Sequence, residues 1–157
     1  VICFLTACDG NSGNSSDTTF YGSYDLLSFT IYAANSTEPD YQLQAPQDGS
    51  GQYIFEKNAK FTLYVDGSSA TEPLCLKIVG SYELAEETHS IAMLPAGFST
   101  AGCPGMEQQV NVEPFNLTYS LTPTTTGTQI QMETEDDITV VNILTLSGKK
   151  ILIGVKQ

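Results

Sequence analysis

The stretch Leu74-Cys75-Leu76-Lys77-Ile78-Val79-Gly80-Ser81-Tyr82-Glu83-Leu84 decides the fold class. Leu74, Leu76, Ile78, Gly80, Tyr82 and Leu84 fall on one face at a period of two, and Cys75, Lys77, Val79, Ser81 and Glu83 fall on the other. Successive side chains of an extended strand point to opposite faces, so this pattern predicts a strand with one greasy side. The same period recurs on both sides of it. Leu27, Phe29 and Ile31 show it upstream, as do Phe61, Leu63 and Val65. Downstream it returns in Phe115, Leu117, Tyr119 and Leu121, continues through Ile130 and Met132, and closes in Ile151, Ile153 and Val155. No window of a dozen residues carries a helical period; at most, Met106 to Gln109 make one helical turn.

The breaks between these runs agree with strands. Glu56-Lys57-Asn58-Ala59-Lys60, Asp66-Gly67, Glu86-Glu87, Thr126-Gly127 and Ser147-Gly148-Lys149 all read as turns. Roughly eight to ten strands in sequence-local hairpins follow from this spacing. The expected fold is all-β, an antiparallel meander closed into a single barrel, since closure removes exposed edges. A sandwich is the alternative. Ala33 to Gly51 and Pro95 to Pro114 hold prolines, glycines and polar residues, and are expected to be long irregular connections.

Composition sets further bounds. The 157 residues are 41% hydrophobic, enough for one core. Acids outnumber bases 18 to 6, a net charge of −12. All the bases are Lys. Nucleic-acid binding is therefore not expected, because phosphate contacts need a basic face. Charge-driven attachment to anionic lipid is equally disfavoured. One His excludes a site built on several histidines.

The chain opens Val1-Ile2-Cys3-Phe4-Leu5-Thr6-Ala7-Cys8, apolar or small throughout, and then turns fully polar from Asp9 to Thr19. Leu5-Thr6-Ala7-Cys8 resembles the lipobox of bacterial lipoproteins. Small residues before the cysteine admit the peptidase, and the thiol takes the diacylglyceryl group. The resemblance implies residues 1–7 as a signal-peptide remnant, lipidation of Cys8, and a flexible tether over 8–19. Residues 20–157 are then the barrel domain. It also implies a membrane as partner and a lipid-anchored place in the bacterial cell envelope. In that oxidising compartment the remaining cysteines, Cys75 and Cys103, are expected either to form a disulfide or to stay as buried thiols.

Gly22-Ser23-Tyr24-Asp25-Leu26 resembles the Gly-x-Trp-x-Leu start of lipocalin-like domains, with Tyr24 where Trp is usual. Tyr53-Ile54-Phe55, Lys57-Asn58 and Phe61-Thr62-Leu63 resemble the following strand-turn-strand, and Leu144-Thr145-Leu146 through Leu152 the closing hairpin. This likeness implies a lipocalin-like barrel that binds a small apolar or amphipathic ligand without catalysis. A second likeness runs from Cys75 to Glu107. Cys75-x4-Gly80-Ser81-Tyr82 and Ser99-Thr100-x2-Cys103-Pro104-Gly105-Met106-Glu107 resemble the META domain of envelope proteins. It implies the Cys75–Cys103 pairing and action through protein contacts, as an inhibitor or in stress protection.

Candidate sites are few. Tyr24, Tyr82, Phe115 and Tyr119 lie on inward-reading faces, where they either fill the barrel or line a ligand cavity. His89 beside Glu86 and Glu87 has the residue types of an acid–base pair, but nothing supplies a nucleophile, so it reads as an exposed turn residue. Glu133, Glu135, Asp136 and Asp137 lack the spacing of a calcium loop and read as a solvated hairpin tip. No catalytic residue, metal site or cofactor is expected.

Overall fold

The computed structural model describes residues 19–67, 69–70, 74–99, 111–142 and 144–157. The remnant at 1–7, Cys8 and nearly all of the tether lie outside them, as do Cys103 and the turn at Met106 to Gln109. The described chain is all-β, with no α-helix among the described residues.

Among the described residues eleven strands form: β1 (Gly22–Tyr32), β2 (Pro39–Gln44), β3 (Ser50–Phe55), β4 (Lys60–Asp66), β5 (Cys75–Ala85), β6 (Ser90–Ser99), β7 (Phe115–Thr124), β8 (Gly127–Thr134), β9 (Ile138–Val140), β10 (Leu144–Leu146) and β11 (Lys149–Lys156). Hairpin neighbours pair antiparallel from β3 through β8, and β8 pairs with β11. The last strand then returns to the first. β11 runs antiparallel to β1 from Tyr24↔Lys156 to Tyr32↔Lys149, and β1 pairs with β3, so eight strands close into a barrel. Closure pairs each barrel strand on both sides over part of its length, which limits the edges that could template aggregation.

Inward positions are apolar as the alternation requires. Phe61, Leu63 and Val65 are buried on β4, Leu76, Ile78 and Tyr82 on β5, and Phe115, Leu117 and Tyr119 on β7. Two strands depart from the simple reading. In β1 the register slips between Leu26 and Ser28, so Leu27 is bulged out and 38% exposed while Tyr24, Leu26, Phe29 and Ile31 are buried. A bulge inserts one residue and resets which positions face in. In β11 the face carrying Ile151, Ile153 and Val155 is half-buried and points outward, whereas Lys150, Leu152 and Gly154 are buried. The inward set is fixed by register with β1 and β8, where Leu152 lies opposite Phe29 and Met132. Pairing overrides the more hydrophobic face.

The two stretches read as irregular also contain strand. Within Ala33 to Gly51, β2 pairs with the second half of β1. Its Leu43 is fully buried, and Pro39 sits at its start on the open edge of the sheet, where a missing N–H is tolerated. At the start of the other stretch, β6 continues to Ser99. Its Pro95 lies at a bulge opposite Gly80, where the ladder is already interrupted. A Cβ on Gly80 would meet Leu94 O, and would lie 2.8 Å from Pro95 Cα, so this crossing requires glycine.

One end of the barrel is covered by the β9–β10 hairpin. Ile138 and Val140 join the main core there, with Val112 bridged to Val140. Lys150 is buried at this end, and its Nζ donates to Leu146 O (3.0 Å) and Gly148 O (2.5 Å). Burial holds this ammonium below the ordinary lysine pKa, opposed by the charges of Asp137 and Asp136.

Candidate functional site

The other end of the barrel gathers the start of β1, the β3–β4 and β5–β6 turns, and the end of β11. Here the residues just before β1 fold over the opening. Phe20 is buried, its ring 4.5 Å from Phe55, 4.9 Å from Tyr119 and 5.8 Å from Tyr82 between centroids. The segment is held by its backbone. Tyr24 Oη donates to Phe20 O at 2.7 Å, and Lys156 Nζ donates to Thr19 O at 2.7 Å. Apolar contact and hydrogen bonds thus seat Phe20 as a plug in an aromatic socket.

The β5–β6 connection is a single 3-10 turn, Glu86–Thr88, ended by His89 in the left-handed conformation (φ 50°). That conformation returns the chain into β6, and His89 O accepts from Tyr119 N at 2.9 Å. The imidazole packs on the Tyr119 ring, 5.5 Å between centroids.

Between the plug and this turn lies a pocket of about 460 Å³. The pre-β1 segment contributes Thr19, Phe20 and Tyr21; the turn contributes Glu86 and His89; β7 contributes Tyr119 and Leu121. A volume of this size admits a small molecule, and aromatic walls with a few polar groups are the usual make-up of such a site. Burial, then the charge of Glu86, then Tyr21 raise the Tyr119 phenol above its ordinary pKa. Burial, then Tyr21 and Glu56, push Tyr82 up to about 12. These tyrosines therefore stay neutral hydrogen-bonding groups at physiological pH.

The four aromatic residues singled out in the sequence take different places. Tyr119 lines the mouth pocket. Tyr82 is buried beneath Phe20, with its hydroxyl donating to Glu56 O at 2.6 Å. Tyr24 is fully buried, and Phe115 is buried opposite Met93 on β6. Leu121 belonged to the inward period of β7, whereas Phe20 and Tyr21 carried no signal of their own. The clue was their position, two aromatics directly ahead of the first strand.

The acidic group at 133–137 is engaged by its neighbours. Glu133 pairs with Lys149 at 3.5 Å, and Asp136 Oδ2 accepts from Asn116 N at 2.9 Å. A shallower depression of about 360 Å³ lies over these residues, beside Ser90 and Thr118. Among the described residues no three His, Cys, Asp or Glu side chains are grouped to hold a metal. Cys75 is buried at the start of β5, its Sγ 3.7 Å from Asp66 Oδ1, while Cys103 lies outside the described residues.

Comparison with known proteins found no matching family model, no matching curated protein and no matching solved structure.

Proposed function

We propose that this chain is a lipid-anchored protein of the bacterial cell envelope whose barrel binds a small apolar or amphipathic ligand at its mouth, without catalysis. The observation that carries the reading is the pocket beside the Phe20 plug, with Phe20, Tyr21, Tyr119 and Leu121 in its wall. The lipocalin-like sequence pattern, on a closed eight-stranded barrel, supports it. The interior itself is packed with side chains, so the binding place is the rim rather than the barrel axis. Lipidation of Cys8 and a Cys75–Cys103 bridge belong to the same proposal; the buried position of Cys75 on β5 suits a structural bridge.

Native mass spectrometry of protein purified gently from envelopes tests the ligand. A discrete adduct is expected on the natural sequence and its loss on Tyr119→Ala. Bare protein throughout, with no saturable binding of any apolar probe, defeats the reading. Cys8→Ser is expected to move the protein into the soluble fraction, and persistence in the membrane fraction defeats the anchor. Peptide mapping without reductant is expected to show Cys75 linked to Cys103; two free thiols sink that claim.

A META-like role through protein contacts is the second reading. Val79 and Leu94, exposed at 37% and 38% on the outer faces of adjoining strands β5 and β6, favour it. Substituting both with Ser is expected to abolish co-purification of a protein partner under that reading and to leave the small-molecule adduct in place.

A further inference from the structure

The mouth pocket selects for charge as well as shape. Its wall includes the rings of Phe20, Tyr21 and Tyr119, the His89 imidazole that packs on Tyr119, and Glu86. Glu86 is exposed on the 3-10 turn and makes no ion pair among the described residues, while Lys156 Nζ at this end is held by Thr19 O and Oγ1. Its negative charge reaches the Tyr119 phenol. The whole chain carries −12, which draws cations toward any concave surface and repels carboxylate ligands. At the same end of the barrel the chain pairs ammonium with aromatic within itself: Lys156 Nζ lies 5.8 Å from the Tyr24 ring centroid.

We propose that the mouth pocket binds a small organic ammonium, with its alkyl groups against the Tyr21 and Tyr119 rings and its charge opposed by Glu86. The proposal rests on the mouth being the ligand site and names the class of ligand. An alkylated ammonium is apolar on its surface and positive throughout, so it gains both from the negative faces of aromatic rings and from a nearby carboxylate. A neutral apolar molecule of the same shape gains from burial alone.

That difference sets the experiment. Choline and 3,3-dimethylbutan-1-ol share one shape and differ in charge. Both are titrated into the full chain, with NMR shifts of the mouth residues as the readout. Choline is expected to saturate with at least about tenfold higher affinity than the neutral alcohol. Glu86→Gln and Tyr21→Leu are each expected to weaken choline by about three- to tenfold, and to weaken it more than they weaken the alcohol. Glu86 is an exposed turn residue without a side-chain partner among the described residues, so Glu86→Gln keeps the fold, checked by an unchanged spectrum elsewhere. Equal affinity for the two probes, or choline binding untouched by both variants, overturns the ammonium proposal and leaves the mouth as an apolar site. Absence of saturable binding by either probe overturns both. Phosphatidylcholine vesicles then identify the source. Co-sedimentation of the Cys8→Ser chain that Glu86→Gln abolishes assigns a lipid headgroup; choline binding without co-sedimentation assigns a free ammonium.

Discussion

Two buried tyrosines, on strands separated by β4, illustrate how differently a hydroxyl can be accommodated. Tyr82 donates to Glu56 O at 2.6 Å, whereas Tyr53 Oη, fully buried, meets no hydrogen-bond partner among the described residues. A buried polar group without a partner is destabilising, and one that is hydrogen-bonded contributes modestly. Tyr53→Phe is therefore expected to raise the unfolding free energy by about 1 kcal/mol, and Tyr82→Phe to lower it by a similar amount, in urea titrations near neutral pH. Their alkaline behaviour is shared. The folded pKa of Tyr82 is pushed up to about 12, and burial raises that of Tyr53 as well. In the unfolded chain each loses its proton at the ordinary value near 10. Above that pH the folded state holds more protons than the unfolded one, so stability falls as pH rises from about 10 towards 12. Each Phe variant is expected to make that fall shallower. A slope unchanged in both variants argues that the tyrosines are hydrated in the native state.

At the scale of the strand, the lesson of β1 is that one extra residue outweighs a clean pattern. The run Leu27, Phe29, Ile31 looks like a single face, yet the bulge places Leu27 outside and Phe29 and Ile31 inside. Leu27→Ser is accordingly expected to change stability by less than about 0.5 kcal/mol, and Phe29→Ala to lower it by about 3–5 kcal/mol. Comparable losses at both positions contradict the bulge. The same comparison shows how much of the fold was legible. β4, β5 and β7 pair without interruption over their inward residues or keep phase across a bulge, so their period of two names the buried positions, with Cys75, buried on the opposite face at the start of β5, the exception. β11 misleads because Ile151, Ile153 and Val155 are the greasier set, while register with β1 and β8 turns Lys150, Leu152 and Gly154 inward. β2 was hidden by Pro39 and by polar neighbours, both natural on an edge strand. The mouth pocket was legible only in part. Glu86, His89 and Tyr119 each stood out in the sequence, but no spacing ties them to Phe20, which a chain separation of about a hundred residues brings onto Tyr119.

For the whole molecule, the decisive contact is the seam between the first strand and the last. β1 and β11 pair over most of their length, so the barrel closes only when its first and last strands meet. Such long-range closure carries a loop-entropy cost that local hairpins do not. It also brings the excess negative charge into a compact volume, with six bases to offset eighteen acids. Like charges spread over one small barrel repel more strongly in the folded chain than in the expanded one. Salt shortens the reach of that repulsion, from a Debye length of about 30 Å at 0.01 M to about 8 Å at 0.15 M. The melting midpoint is therefore expected to rise with sodium chloride over that range and to level off beyond it, once the screening length falls below the spacing of most acids. Chloride is the proper anion for the measurement, since sulfate strengthens hydrophobic burial by exclusion and raises the midpoint without any screening. A midpoint that is flat or falling between 0.01 and 0.15 M would mean that the acids are locally compensated in the fold, as Glu133 is by Lys149. The mouth would then lose the general negative field that draws cations to it, and ammonium selectivity would have to rest on Glu86 and the aromatic rings alone.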